Sequence, residues 1–168
     1  EALVQLQVLD GSFPLSFWSK TEPPKSAHAL FSTACVLLAV GRHLPSQALE
    51  KAGEFILSDR REDGTWGYDP ALNIPTDSDD TAVALTALAR FNLSDLCEAD
   101  AALLRSFWRE PNGPFRTWKA GGNWEQVARD DAVVNGNILV ALEEIGIPPT
   151  KAEREAVWRL IQSSNRGS

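Results

Sequence analysis

Asp63-Gly64-Thr65-Trp66 decides the fold, because its shape occurs twice more, as Asp10-Gly11-Ser12-Phe13 and Asn112-Gly113-Pro114-Phe115. Each copy runs turn-forming polar residue, glycine, any residue, aromatic. The glycines stand 53 and then 49 residues apart. Such a string stops a helix with a glycine that accepts positive φ, then tucks the loop back with an aromatic. Working outward, Ser26–Gly41, Thr81–Phe91 and Val134–Gly146 are rich in Ala, Val and Leu with few charges. Helices apolar nearly all round lie inside. Ser32-Thr33-Ala34 matches Asp80-Thr81-Ala82 in the first two of them. Ser46–Asp59, Ser94–Trp108 and Lys151–Ser163 carry their charges on one face, as an outer layer does. Thr150 and Glu153 form a capping box that opens the last of these. No strand pattern appears. A period of about 50 residues, inner helix, outer helix and long loop, describes helical hairpins in series. The expectation is an all-α fold with about three α/α hairpins in one domain over residues 1–168. It is a solenoid, or half of or a miniature α/α barrel.

Composition agrees. The chain has 168 residues, 43% hydrophobic and 23% charged, a globular balance. A chain of this length buries about 70% of its unfolded surface and needs no disulfide. Its net charge of −7 disfavours a phosphate backbone as partner. The two cysteines, Cys35 and Cys97, suit a reducing, cytoplasmic setting, although a disulfide between them stays open. No apolar run reaches the ~18 residues of a membrane span, and no signal peptide is evident. The sequence holds no methionine, which fits a processed chain or a piece of a longer one.

The chemistry concentrates in Asp77-Ser78-Asp79-Asp80-Thr81-Ala82. Like charges this close cannot all ionise cheaply, so one carboxyl keeps its proton. The opposing pull is the dipole at the start of a helix, which favours carboxylates. An ordinary helix cap uses the same residues. Asp130 and Asp131 precede the third inner helix, and aligning Val134–Leu142 with Asp80–Leu88 sets Asp131 opposite Asp77. The pair is either another cap or one side of an acidic rim with oxygen ligands for Mg²⁺. Phe13, Trp66 and Phe115 read as loop anchors. Trp18, Tyr68, Trp118 and Trp124 are candidates to line a pocket mouth, where aromatic faces stabilise cations. His28 stands at a similar loop end and either is a surface or capping histidine, or hydrogen-bonds the acid or serves as a base. Arg105, Arg109, Arg116, Lys119 and Arg129 flank the third loop and either hold a diphosphate or balance the acids.

Lys51-Ala52-x2-Phe55-Ile56-x3-Arg60-x3-Gly64-x-Trp66 resembles the QW repeat of squalene–hopene and oxidosqualene cyclases, with Arg60 where that family places glutamine. Gln7-x3-Gly11-x-Phe13 is similar to the second half of the same repeat with its glutamine intact, and the copy around Gly113 is degenerate. Asp77-Ser78-Asp79-Asp80-Thr81-Ala82 resembles the DxDDTA motif of class II terpene cyclases. The resemblance implies protonation-initiated cyclisation or isomerisation of a prenyl chain. It makes Asp79 the general acid and Asp77 and Asp80 the residues that tune and orient it. It implies an isoprenoid substrate lined by Trp18, Tyr68, Trp118, Trp124, His28 and Asp131, no cofactor, and Mg²⁺ only for a diphosphate substrate. Members of the family build about six hairpins. Three would need a second copy or a partner domain to complete a barrel. Two rival expectations are a non-catalytic helical module that binds an apolar ligand or partner protein, and an inverting glycosidase on an α/α barrel, the latter by fold analogy alone. The Cys-Gly-Glu-Gln string of thioester domains is absent from the sequence.

Overall fold

The computed structural model describes residues 4–14, 16–17, 25–26, 29–67, 75–109, 113–119 and 130–164. The fold is all-α. Among the described residues six α-helices follow one another: α1 (Leu30–Val40), α2 (Ser46–Ser58), α3 (Ser78–Arg90), α4 (Glu98–Arg105), α5 (Ala132–Glu144) and α6 (Lys151–Ser164). The only ladder described is a two-residue antiparallel pairing of Ser16–Phe17 with Lys25–Ser26. Helix α1 packs on α2, α3 on α4, and α5 on α6, while α3 lies between α1 and α5. That central place explains its composition. Every residue from Asp80 to Leu88 is buried, so alanines and short side chains let two neighbours approach it from either side. None of the described helices is long and apolar enough to cross a membrane.

Local chemistry shifts three boundaries from those expected. Helix α1 begins at Leu30, since Ser26 is spent in the ladder. Helix α3 begins at Ser78, because Asp77 accepts the Asp79 backbone N–H at 2.7 Å and caps it. Helix α4 begins only at Glu98, where Asp100 reaches back to the Cys97 N–H at 2.9 Å. The box at α6 forms as expected: Thr150 N–H donates to Glu153 at 2.6 Å and Glu153 N–H donates to Thr150 at 3.2 Å. Gly11 (φ 93°) and Gly64 (φ 82°) take the left-handed conformation, whereas Gly113 does not. A Cβ on Gly11 would meet the Lys51 carbonyl oxygen at 2.1 Å, so that loop requires glycine for close approach as well. Cys35 and Cys97 are free thiols, which settles the pairing left open by their count.

One hydrogen-bond pattern recurs at three loops. The Phe13 N–H donates to Thr33 Oγ1 at 2.9 Å, and Ser32 Oγ donates to the Phe13 carbonyl at 2.6 Å. The Trp66 N–H donates to Thr81 Oγ1 at 3.1 Å, and the Trp66 carbonyl lies 3.2 Å from that hydroxyl. Phe115 N–H donates to Asn135 Oδ1 at 2.7 Å, and Asn135 Nδ2 returns a bond to the Phe115 carbonyl at 3.1 Å. A polar side chain in the first turn of each inner helix thus clasps the backbone of the loop aromatic. The three rings are buried, and the Trp66 Nε1–H finds the Ile56 carbonyl at 2.7 Å.

A second link fixes the other end of each of the first two loops. Gln7 Nε2 donates to the Gly11 carbonyl at 2.9 Å and to the Ala48 carbonyl at 2.8 Å. Arg60 repeats this with charge: Nε donates to the Gly64 carbonyl at 2.8 Å and Nη2 pairs with Asp100 at 2.6 Å. Its guanidinium also lies 4.9 Å from the Trp66 ring centre. In the third loop the corresponding Arg109 turns instead to Asp130, at 2.8 Å.

Thr81→Val keeps the shape and removes the hydroxyl. The buried Trp66 N–H then has no partner, so urea denaturation should show a loss of about 1–3 kcal/mol. Thr86→Val, whose hydroxyl only bonds the Ala82 carbonyl within its own helix, should cost less than about 1 kcal/mol.

Candidate functional site

The first turn of α3 is anchored by two loops. The Asp77 N–H donates to the Trp66 carbonyl at 3.2 Å. On the opposite side, Ser78 N–H donates to the Thr117 carbonyl at 2.8 Å and Lys119 N–H to the Thr76 carbonyl at 3.1 Å. Asp77 and Trp118 therefore form an antiparallel bridge, which brings the third loop against the acid turn. Both neighbouring loops hold Asp77, Asp79 and Asp80 in place before any ligand arrives.

Burial then sets the proton inventory. Asp80 is 4% exposed, and its Oδ2 has no hydrogen-bond partner among the described residues. Loss of hydration, followed by the Asp77 and Asp79 carboxylates, pushes its pKa up to about 8 against the partial relief of Arg61. Asp77 is raised to about 6 by burial, with the Asp79 charge adding to it and the backbone N–H groups of Asp79 and Asp80 opposing it. Asp79 is raised chiefly by burial and also by Asp131; the hydrogen bond from Asn137 opposes the shift. Asn137 Nδ2 donates to Asp79 Oδ1 at 2.8 Å. At neutral pH this turn therefore carries fewer charges than its three aspartates suggest, and its protons belong to the group as a whole.

The clasp sets a register among the inner helices: Thr33, Thr81 and Asn135 correspond. Phe31, Asp79 and Val133 then occupy one position on α1, α3 and α5. Phe31 is 37% exposed and Val133 70% exposed, so apolar surface flanks the acid on an open face. One turn further on, Cys35, Val83 and Asn137 correspond. Burial raises the Cys35 thiol pKa, and the charges of Asp79 and Asp80 add to the shift, which places Cys35 beside the acids from the α1 side.

Of the residues expected at the site, Asp77, Asp79, Asp80, Trp118 and Asp131 are gathered at this end of the inner helices. Asp131 caps α5, accepting from Val133 N–H at 2.7 Å and Val134 N–H at 3.2 Å. Trp18, Tyr68, Trp124, His28 and Arg129 lie outside the described residues. Asn137 and Cys35 were missed, although a signal existed. Both are polar or polarisable residues in apolar inner helices, at the rung next to Asp79. Three of the five basic residues expected at the third loop are engaged with acids: Arg105 with Glu153 at 2.9 Å, Arg109 with Asp130 at 2.8 Å and Lys119 with Asp63 at 2.8 Å. Among the described residues no group of three or more His, Cys, Asp or Glu side chains is placed to hold a metal ion.

No known family model matches the chain, and no curated protein matches it either.

The raised carboxyls give the folded state a pH signature. An unfolded Asp ionises at 3.8, whereas folded Asp80 and Asp77 hold their protons to about 8 and about 6. Their contribution is full below about pH 4 and is lost as pH rises through those two values. Urea midpoints should therefore fall between about pH 4 and 9. In Asp80→Asn the fall above about pH 6 should flatten, leaving the variant more stable than the parent at about pH 9. Identical slopes in parent and variant would show that Asp80 ionises normally.

Proposed function

We propose that this chain is a class II terpene cyclase-like protein in which Asp79 protonates an alkene or epoxide of a prenyl chain. The observation that carries the reading is the crowded, desolvated first turn of α3, with its middle carboxyl in register with exposed Phe31 and Val133. A weakly hydrated carboxylic acid beside apolar surface is what alkene protonation requires.

In the proposed step the Asp79 O–H bond breaks and its electron pair stays on the carboxylate. The alkene π pair forms the new C–H bond, leaving a carbocation on the other carbon. With an epoxide, the proton goes to oxygen and the C–O bond opens. Cyclisation or isomerisation follows, and the cation ends by losing a proton or by capturing water. Asn137 Nδ2, at 2.8 Å, stabilises the carboxylate that Asp79 becomes. Asp80, still neutral at pH 7, adds no second charge to oppose that ionisation. Trp118, joined by backbone bridging to Asp77, supplies an aromatic group for the cation, as Trp18, Tyr68 and Trp124 do in the resemblance; His28 serves there as a partner of the acid. Arg105, Arg109 and Lys119 already hold acids, which favours a hydrocarbon, alcohol or epoxide over a diphosphate. A closed pocket requires walls beyond three hairpins, from a second copy or a partner domain.

A second reading is a non-catalytic module that binds an apolar ligand or a partner. Its support is that Asp77 and Asp131 are both working helix caps. Asp79 has no capping role, which makes Asp79→Asn discriminating. The wild type and this variant should meet geranyl, farnesyl and geranylgeranyl diphosphates, the free alcohols, their epoxides and squalene, with products read by mass spectrometry. The expected result is an isomeric product with fewer double bonds, absent in the variant, whose melting temperature stays within a few degrees of the parent. No product from any substrate would favour the binding module.

A further inference from the structure

We propose that two copies of this chain pair head to tail, the α1 edge of one seated on the α5–α6 edge of the other. The inference is independent of the acid chemistry and rests on what the two ends of the helix series leave exposed.

At the α1 edge, Leu6, Phe13, Val36, Ala39 and Val40 surround an apolar groove of about 380 Å³. The register fixed by Thr33 and Thr81 sets Val36, Ala39 and Val40 against Ala84, Ala87 and Leu88. Those three are completely buried in α3, between its two neighbours. The α1 edge thus presents to solvent the face that the same repeat elsewhere covers. At the other end, Leu139, Val157, Trp158 and Ile161 line a second apolar groove of about 430 Å³. Leu139 and Val140 correspond to Leu85 and Thr86, again buried in α3, whereas Val140 is 45% exposed. Trp158 is 60% exposed. The capping residues Asp100 and Glu153 place it opposite Arg105, whose side chain crosses to Glu153 in the following helix pair. Trp158 occupies a position that reaches toward a next pair.

Charge supports the same match. Inside the chain α3 and α5 are joined by Arg90 and Glu144, with Arg90 Nε donating to Glu144 at 3.0 Å. In a head-to-tail pair α5 of one copy takes the place of α3, and α1 of the other takes the place of α5. Glu144 then stands where Arg90 stood, and Arg42, exposed just beyond α1, stands where Glu144 stood. Arg42 of one copy then faces the Glu144 carboxylate of the other, which also holds Arg90 of its own chain. The occupant that fits both the apolar face and the charge is therefore a second copy of this chain. A head-to-tail contact either closes or propagates. Closure around a two-fold axis covers both edges of both chains and gives a dimer.

Sedimentation equilibrium at about 10–100 µM tests this with the parent, Ala39→Glu, Trp158→Glu and an equimolar mixture of the two variants. Both positions are exposed, and circular dichroism melts verify that each variant folds. The parent should be a dimer and each variant alone a monomer. The mixture should again form dimers at the upper concentration, because the Ala39→Glu chain keeps a sound α6 edge and the Trp158→Glu chain keeps a sound α1 edge. A monomeric parent overturns the proposal. So does a dimer that only one of the two substitutions disrupts, which would mean like edges pairing with like. A mixture that stays monomeric at about 100 µM overturns it too.

Discussion

The hydrogen bonds from Thr81 to the backbone of Trp66 are the constraint on which the rest depends. A loop that tucks a tryptophan into the core must also bury that residue's own N–H and carbonyl, and buried backbone groups demand partners. Thr81 meets the demand from the first turn of α3. The same hydroxyl lies 2.7 Å from the Asp77 carbonyl. The position of the loop and the position of the helix start are therefore one problem with one solution. Thr33 with Ser32, and Asn135, solve it again at the other two loops with different side chains. What recurs is the bond, and the residue type varies with what can make it.

Fixing the helix start by this clasp has an electrostatic consequence. A free helix N-terminus draws negative charge, which would keep Asp79 and Asp80 ionised. Here the terminus is held between the Trp66 backbone and the third loop, and Asp77 and Asp80 are buried. Asp77 takes the capping bond from Asp79 N–H. Asp80 is left with a buried oxygen and no donor among the described residues. Burial outweighs the dipole at Asp80 because that carboxyl has lost its hydration without a hydrogen bond in exchange. Asp79 differs in having Asn137 as a donor, which opposes the upward shift that burial causes. Two adjacent carboxyls thus have different environments, the arrangement by which proteins separate an acid from its auxiliary.

How much of this was legible in the sequence follows from which interactions are local. The first two glycine-aromatic loops, the buried α3 and the Thr150–Glu153 box depend on residues a few positions apart, and they are legible directly, whereas Gly113 lacks the expected positive φ and α1 and α5 keep exposed apolar faces. The start of α4 was misjudged because Ser94 looks like a cap, while the cap that forms is the reach of Asp100 to Cys97. The late start of α1 turns on a two-residue ladder too short to leave a period in the sequence. At the site, Asp77, Asp79 and Asp80 announce themselves by crowding. Their protonation does not, since it depends on packing from three other segments. Asn137 sits 58 positions from Asp79, and only alignment of α5 on α3 would have raised it. Arg105, Arg109 and Lys119 looked available for a ligand until their acid partners could be located in space.

Gln7 and Arg60 hold the first two loops by the same contact with different chemistry. Gln7 ties the first loop to the outer helix through two carbonyl acceptors, Gly11 and Ala48. Arg60 keeps the loop acceptor, Gly64, and exchanges the second for the carboxylate of Asp100. That carboxylate also accepts the Cys97 N–H that opens α4. A neutral amide could not satisfy a carboxylate whose side chain is only 6% exposed, and a guanidinium can. Arg60 and Asp100 therefore act as one unit. Together they brace the 60–67 loop at the end opposite Trp66, so that both of its ends are held before the chain reaches Asp77. In the third loop Arg109 finds Asp130, next to the Asp131 cap of α5. There the brace points at the following inner helix and away from the outer one, and the glycine no longer needs a positive φ. The degeneracy of that copy follows from where its arginine found an acid.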